Sequence, residues 1–162
     1  MDSAAERLVQ FLTGRSLFLA AAESCTAGLV ADLLGEVPGA SACFWGSFVC
    51  YTPQAKIAML GVDKKTLLEY GLVSGETARA MVLGALEKSG AHAALSVTGL
   101  AGPGGAEDAG HHVPVGTIWI GTALRGREAR AAEFHFNGPR NKVRLNAARE
   151  ALNQISKHLS EE

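Results

Sequence analysis

A serine, a lysine and a tyrosine are the side chains of this sequence whose types and surroundings suit acyl chemistry. Ser24 lies in Ala22-Glu23-Ser24-Cys25-Thr26-Ala27-Gly28, between a short apolar run and a stretch of helical character. A free serine hydroxyl is a weak nucleophile and needs a base. No histidine falls beside it in the predicted elements. His92 precedes an apolar run, His135 lies within one, His158 is near the C-terminus, and His111 and His112 occupy a loop from which they can swing inward. Lys56 is the better base, about one turn into the helix that follows Tyr51. A lysine serves as a base once burial and nearby dipoles lower its pKa. Tyr51 can then orient Lys56 or relay a proton. Plainer roles compete: Ser24 as a helix N-cap, Lys56 as a solvated cation, Tyr51 as a strand aromatic. Spacing alone favours those. Cys25 is a rival nucleophile ranked below Ser24, because a helix N-terminus lowers a thiol pKa but small buried cysteines are common. Cys43 and Cys50 read as strand fillers.

A second feature is Thr98-Gly99-Leu100-Ala101-Gly102-Pro103-Gly104-Gly105, which follows an apolar run. Glycines let a backbone approach a ligand and offer N–H groups to an anion. The Gly-Lys-Ser/Thr ending of a phosphate-binding P-loop is missing, and so is the GxGxxG spacing. By itself the segment reads equally as a hinge. Arg140, after Gly138-Pro139, and Arg144 supply cations that can grip a phosphate or simply decorate a helix start. Glu107 and Asp108 lack companions at metal-ligand spacing, so neither a metal nor a cofactor is expected.

Such residues work only if distant segments meet. Apolar spacing predicts a helix over 3–14, a strand over 17–22 and a helix over 26–34 ended by Gly35. A strand over 44–51 follows, with Pro53 suited to the first turn of the next helix. Residues 63–70 form a short helix closed by Gly71, and Ser74 caps a longer one over 76–88 ended by Gly90. A strand over 93–97 leads into a long loop reaching Pro114. Strands over 116–124 and 128–136 form a hairpin, and a closing amphipathic helix covers 141–159. The order α-β-α-β-α-α-β-β-β-α predicts the α/β class, a three-layer α/β/α fold with a mixed, mostly parallel sheet. Ligands of such sheets gather at the carboxyl ends of strands. Glu23-Ser24, Tyr51-Thr52 and Thr98-Gly99 should therefore share one rim. There the first-turn N–H groups of Cys25 and Thr26 can hold an oxyanion.

Bulk properties narrow the classes. The 162 residues suit one domain over 1–162, and 48% hydrophobic with 19% charged residues is a globular composition. Net charge is −1 with both signs interspersed, which gives a nucleic-acid partner no electrostatic support. Three cysteines without a CxxC pair point to reduced thiols and a cytoplasmic location. Met1 to Arg7 lacks the apolar core of a signal peptide, and no apolar run is long enough to span a bilayer. A small-molecule substrate, no membrane and a homo-oligomeric assembly are the expectations.

Residues 22–28, Gly46-Ser47-Phe48-Val49-Cys50-Tyr51, Lys56, Gly71-Leu72-Val73-Ser74, the 97–105 loop and Pro114-Val115-Gly116-Thr117 together resemble the C-terminal domain of the competence-damage-inducible protein CinA. The resemblance runs from about residue 5 to 158 with the motifs in order, in the manner of a stand-alone domain without the longer members' N-terminal nucleotide pyrophosphatase. It implies nicotinamide mononucleotide deamidase activity, giving nicotinate mononucleotide and ammonia. It assigns the catalytic serine to Ser24, with Tyr51 and Lys56 as its tyrosine and lysine. Together with the reading of the residues, it makes the substrate-binding set Glu23, Cys25, Thr26, Gly28, Thr98, Gly99, Gly102, Gly104, Gly105, Arg140 and Arg144. Two alternatives accompany it: a pyridine-nucleotide sensor that does not cleave, and a hydrolase of another small amide. The sequence departs from the family pattern over 106–113 and at Ala27, where a glycine is usual and the alanine methyl would either crowd a ligand or, as suits alanine better, tighten a helix.

Overall fold

The structure, a computed structural model, describes residues 3–162; Met1 and Asp2 of the segment read as no signal peptide lie outside the described residues. Five strands form the main sheet: β1 (Leu19–Glu23), β2 (Phe44–Val49), β3 (Ala93–Gly99), and, beyond the hairpin of β4 (Ala106–Asp108) and β5 (His111–Val113), β6 (Thr117–Leu124) and β7 (Arg130–His135). Their order is β2-β1-β3-β6-β7. β1 pairs parallel to β2 and β3, while β6 is antiparallel to both β3 and β7. All strands but β6 thus point one way, and the sheet is mixed and mostly parallel. β1 is buried throughout and β3 at all but its last residue, as strands covered on both faces must be.

Helices cover both faces. α1 (Ala4–Gly14), α2 (Leu29–Gly35) and α6 (Arg140–Ser160) bury Leu8, Leu34, Leu152 and Ile155 against Leu95 and Ile118 of the sheet. α3 (Pro53–Leu60), α4 (Lys64–Tyr70) and α5 (Gly75–Ser89) bury Leu60, Leu67 and Met81 against Ala22, Ala94 and Ala123 on the other face. Local signals set the helix ends. Ser3 and Glu6 make a capping box, Thr52 and Ser74 cap α3 and α5, and Gly90 closes α5 in the left-handed region. No helix among the described residues is long and apolar enough to cross a membrane.

Three expectations need correction. The element order written with two helices between β2 and β3 is one short: the helix that Pro53 starts, with those over 63–70 and 76–88, makes three. The long loop contains the β4–β5 hairpin, tied down by Asp108, whose carboxylate accepts the N–H groups of Leu72 and Val73 at 2.8 Å each. Strands this short show too little alternation to be read from sequence.

The third correction concerns the segment after β1. The helix starts at Leu29 rather than at 26, because Ala27 (φ 48°) and Gly28 (φ 103°) turn left-handed. Ala27 therefore tightens no helix; it is exposed in a strained turn. An L-residue held left-handed costs about 1–2 kcal/mol. Ala27→Gly should stabilise the protein by about 1 kcal/mol after the glycine's added unfolded-state entropy. Thermal denaturation should show Tm up by about 2–4 °C; an unchanged or lower Tm would mean that the turn carries no strain.

Candidate active site

The parallel pairing of β1 with β2 and β3 brings the three predicted strand ends to one rim. Glu23 is the last residue of β1 and is fully buried. Its carboxylate accepts the hydroxyls of Thr26 (2.8 Å) and Ser47 (2.7 Å) and the N–H groups of Gly28 (3.2 Å), Val30 (2.8 Å) and Ala31 (3.3 Å). A buried carboxylate is tolerable when donors surround it, and the start of α2 adds its positive dipole end. Glu23 thus caps α2, the role that the sequence also offered to Ser24.

Ser24 is freed from capping. Its N–H donates to the Val97 carbonyl (2.9 Å), and its own carbonyl accepts the Ala27 N–H (3.0 Å), closing a tight turn. Within that turn the N–H groups of Cys25 and Thr26 take no other residue's acceptor among the described residues. From behind, Arg144 of α6 donates to the Cys25 (2.9 Å) and Thr26 (3.0 Å) carbonyls.

Lys56 approaches from α3. Thr52 and Pro53 start that helix so that Lys56 lies on its buried side, 1% exposed. Its Nζ donates to the Ser24 hydroxyl at 2.8 Å and to the carbonyls of Cys50 (3.0 Å) and Tyr51 (3.4 Å). Ion pairs among the described residues involve other side chains, so no carboxylate compensates this ammonium. Burial pulls the Lys56 pKa below its usual value. The partner set has a chemical consequence. Two of the three partners are carbonyls, which only accept, while the hydroxyl can also donate. A neutral Lys56 amine gives its two N–H groups to the carbonyls and turns its lone pair on Ser24 Oγ–H. That is the geometry of a general base on a hydroxyl nucleophile.

Ser24, Lys56, Tyr51, Cys25, Thr98, Gly99 and Arg140 line a cleft of about 200 Å³. Glu23, Thr26, Gly28, Gly102, Gly104, Gly105 and Arg144 do not line it. The structure places Glu23, Thr26, Gly28 and Arg144 in the support of the 24–28 turn, and Gly102 gives its carbonyl to Arg140. Gly99 has no room for a Cβ, which would meet Ile118 and the Thr117 carbonyl of β6. Tyr51 also differs from expectation. Its half-exposed side chain accepts Arg140 Nη2 at its hydroxyl (2.8 Å), and only its backbone carbonyl touches Lys56. Arg140 and Arg144, alternatives in the sequence, divide the work: one faces the cleft and the other holds the turn. Leu72, Val73, Glu107 and Asp108 also line the cleft. No chemical signal marked the first two. In the sequence the last two stand out only as possible metal ligands.

Cys25 fails as a rival nucleophile. It is no longer at a helix start, and burial pushes its thiol up to about 11. All three cysteines are free and buried. No histidine lines the cleft: His112 is paired with Glu107, His158 with Thr122, and His92 accepts the Phe18 N–H. A further hollow of about 380 Å³ lies at the opposite end of the sheet, where Arg125 is committed to the Ala91 and Leu86 carbonyls and Arg127 to Glu162.

Fold and site together define an α/β/α protein with a serine–lysine pair at the carboxyl ends of its parallel strands. The chain belongs to the CinA C-terminal domain family, whose pattern matches residues 1–159. A CinA-like protein of Chloroherpeton thalassium is 44% identical over 158 residues, covering 91% of this chain. The chain spans about a third of the length of the curated relatives it matches, 36%, 34% and 37%. Solved structures match along nearly their whole length. The competence/damage inducible protein CihA from Agrobacterium tumefaciens is 40% identical with a TM-score of 0.89, covering 95% of this chain and 92% of that one. A competence-damaged protein (CinA) superfamily protein from Klebsiella pneumoniae is 30% identical with a TM-score of 0.92, at 98% and 97% coverage.

Proposed function

We propose that this chain is an amidohydrolase that converts nicotinamide mononucleotide to nicotinate mononucleotide and ammonia. The observation that carries the chemistry is the buried Lys56 Nζ on Ser24 Oγ at 2.8 Å, with no carboxylate to hold the lysine in its charged form. The choice of substrate rests on the motif resemblance to the family. Neutral Lys56 takes the Ser24 proton as Oγ attacks the carboxamide carbon. The N–H groups of Cys25 and Thr26 receive the oxyanion that develops on the carbonyl oxygen. Lys56 then gives its proton to the departing amine, which leaves as ammonia and breaks the C–N bond. A water, relieved of its proton by Lys56, attacks the acyl ester; the proton returns to Ser24 and nicotinate mononucleotide is freed. Arg140, a guanidinium without a carboxylate partner at the cleft, is the group for the substrate phosphate.

Ammonia release from nicotinamide mononucleotide tests this, with wild type beside Ser24→Ala. Wild type should turn over and the variant should lose at least about a thousandfold in kcat with its melting temperature preserved. Tight nucleotide binding without ammonia would favour a sensor. Turnover of other carboxamides in preference would move the substrate and leave the serine chemistry in place.

A further inference from the structure

The cleft is bipolar. Arg140 enters it from α6, and the β4–β5 hairpin brings Glu107 and Asp108. The two carboxylates are not equivalent. Asp108 is committed to the Leu72 and Val73 N–H groups, and Gly71 is pressed so closely on it that a Cβ would collide with the carboxylate. That latch fixes the hairpin as a wall of the cleft. Glu107 lines the cleft without a backbone N–H on its carboxylate among the described residues. Its described partner is His112 Nδ1 at 3.1 Å, directly opposite on β5. Lys56, the other basic side chain lining the cleft, is turned to Ser24 and two carbonyls.

We infer that Glu107 is a specificity residue that selects substrates whose carboxamide-bearing ring is itself cationic. An N-substituted pyridinium carries a fixed positive charge beside its carboxamide, and its phosphate carries the opposite sign, matching Glu107 and Arg140 at separate places in the cleft. A neutral pyridine carboxamide of the same shape lacks the first of these contacts. The inference rests on the deamidase reading for its substrate and adds the group that reads the ring charge.

The test uses the whole chain and two probes of similar shape, 1-methylnicotinamide, which is cationic, and nicotinamide, which is neutral. By calorimetric titration wild type should prefer the cation by about three- to fivefold, the size of a solvent-exposed charge contact. Glu107→Gln, which keeps the shape and a hydrogen bond to His112, should erase that preference. In turnover of nicotinamide mononucleotide the same variant should raise KM by a similar factor, with the loss lying in KM and not in kcat. Equal affinity of wild type for the two probes, no detectable binding of either, or a preference that survives in Glu107→Gln would overturn the inference. If wild type releases no ammonia, the deamidase reading falls by itself, and the titration still decides the charge selection.

Discussion

Lys56→Met is expected to lower the rate of ammonia release by roughly a thousandfold, in the range a general base supplies. The same change should flatten the dependence of stability on pH. Methionine matches the length and apolar stem of lysine but has no lone pair to turn on Ser24. Burial depresses the Lys56 pKa in the folded chain, while the unfolded chain keeps a value near 10.4. Between those two values the unfolded state binds the proton that the folded state has lost. Stability must therefore rise with pH across that window. Below it the full penalty of burying an uncompensated ammonium is present, and above it the penalty is gone. Relative to wild type, Lys56→Met is thus most favoured at neutral pH and loses ground as pH rises, by about 1.4 kcal/mol per unit of pKa depression. Denaturant melts of both proteins from pH 7 to 10.5 measure this. Parallel stability curves would show that Lys56 enters the fold charged, and the base role would fall with them.

The second large effect is on stability. Glu23→Ala should cost at least about 3 kcal/mol, because it orphans three backbone N–H groups and two hydroxyls around a fully buried position. For a chain of this size that lowers Tm by about 6–12 °C. The damage should extend to the chemistry, since the carboxylate fixes both α2 and the 24–28 turn that presents Ser24. Glu23→Gln retains one acceptor oxygen and should fall between the two. A Glu23→Ala variant melting within about 2 °C of wild type would show that water readily replaces the carboxylate.

Much of the scaffold is legible in the residues because its signals are local. Thr52-Pro53, Ser74 and Gly90 mark helix ends within a few residues of the bonds they make. The apolar runs of β1 and β3 announce strands buried on both faces. These give the sheet, and the rule that ligands collect at strand ends then puts Ser24, Tyr51 and Lys56 near one another. What stays hidden is long-range pairing. Glu23 reads as a site residue from its place beside Ser24, but its partners are 3 to 24 residues away and make it a support. Arg140 and Arg144 are one helical turn apart and indistinguishable until Tyr51 and the Cys25 carbonyl choose between them. The β4–β5 hairpin is held by Asp108 across 35 and 36 residues, a contact that no periodicity reveals.

The central claim is that a neutral Lys56 activates Ser24 for attack on a carboxamide. Its most direct test is kcat/KM for ammonia release from nicotinamide mononucleotide as a function of pH, in wild type and Ser24→Ala. In wild type the rate should climb with pH along a limb whose midpoint lies below the ordinary lysine range, as Lys56 loses its proton. Ser24→Ala should show no limb because it shows no turnover. A wild-type rate that falls as pH rises through that range, or turnover that persists in Ser24→Ala, would contradict the account.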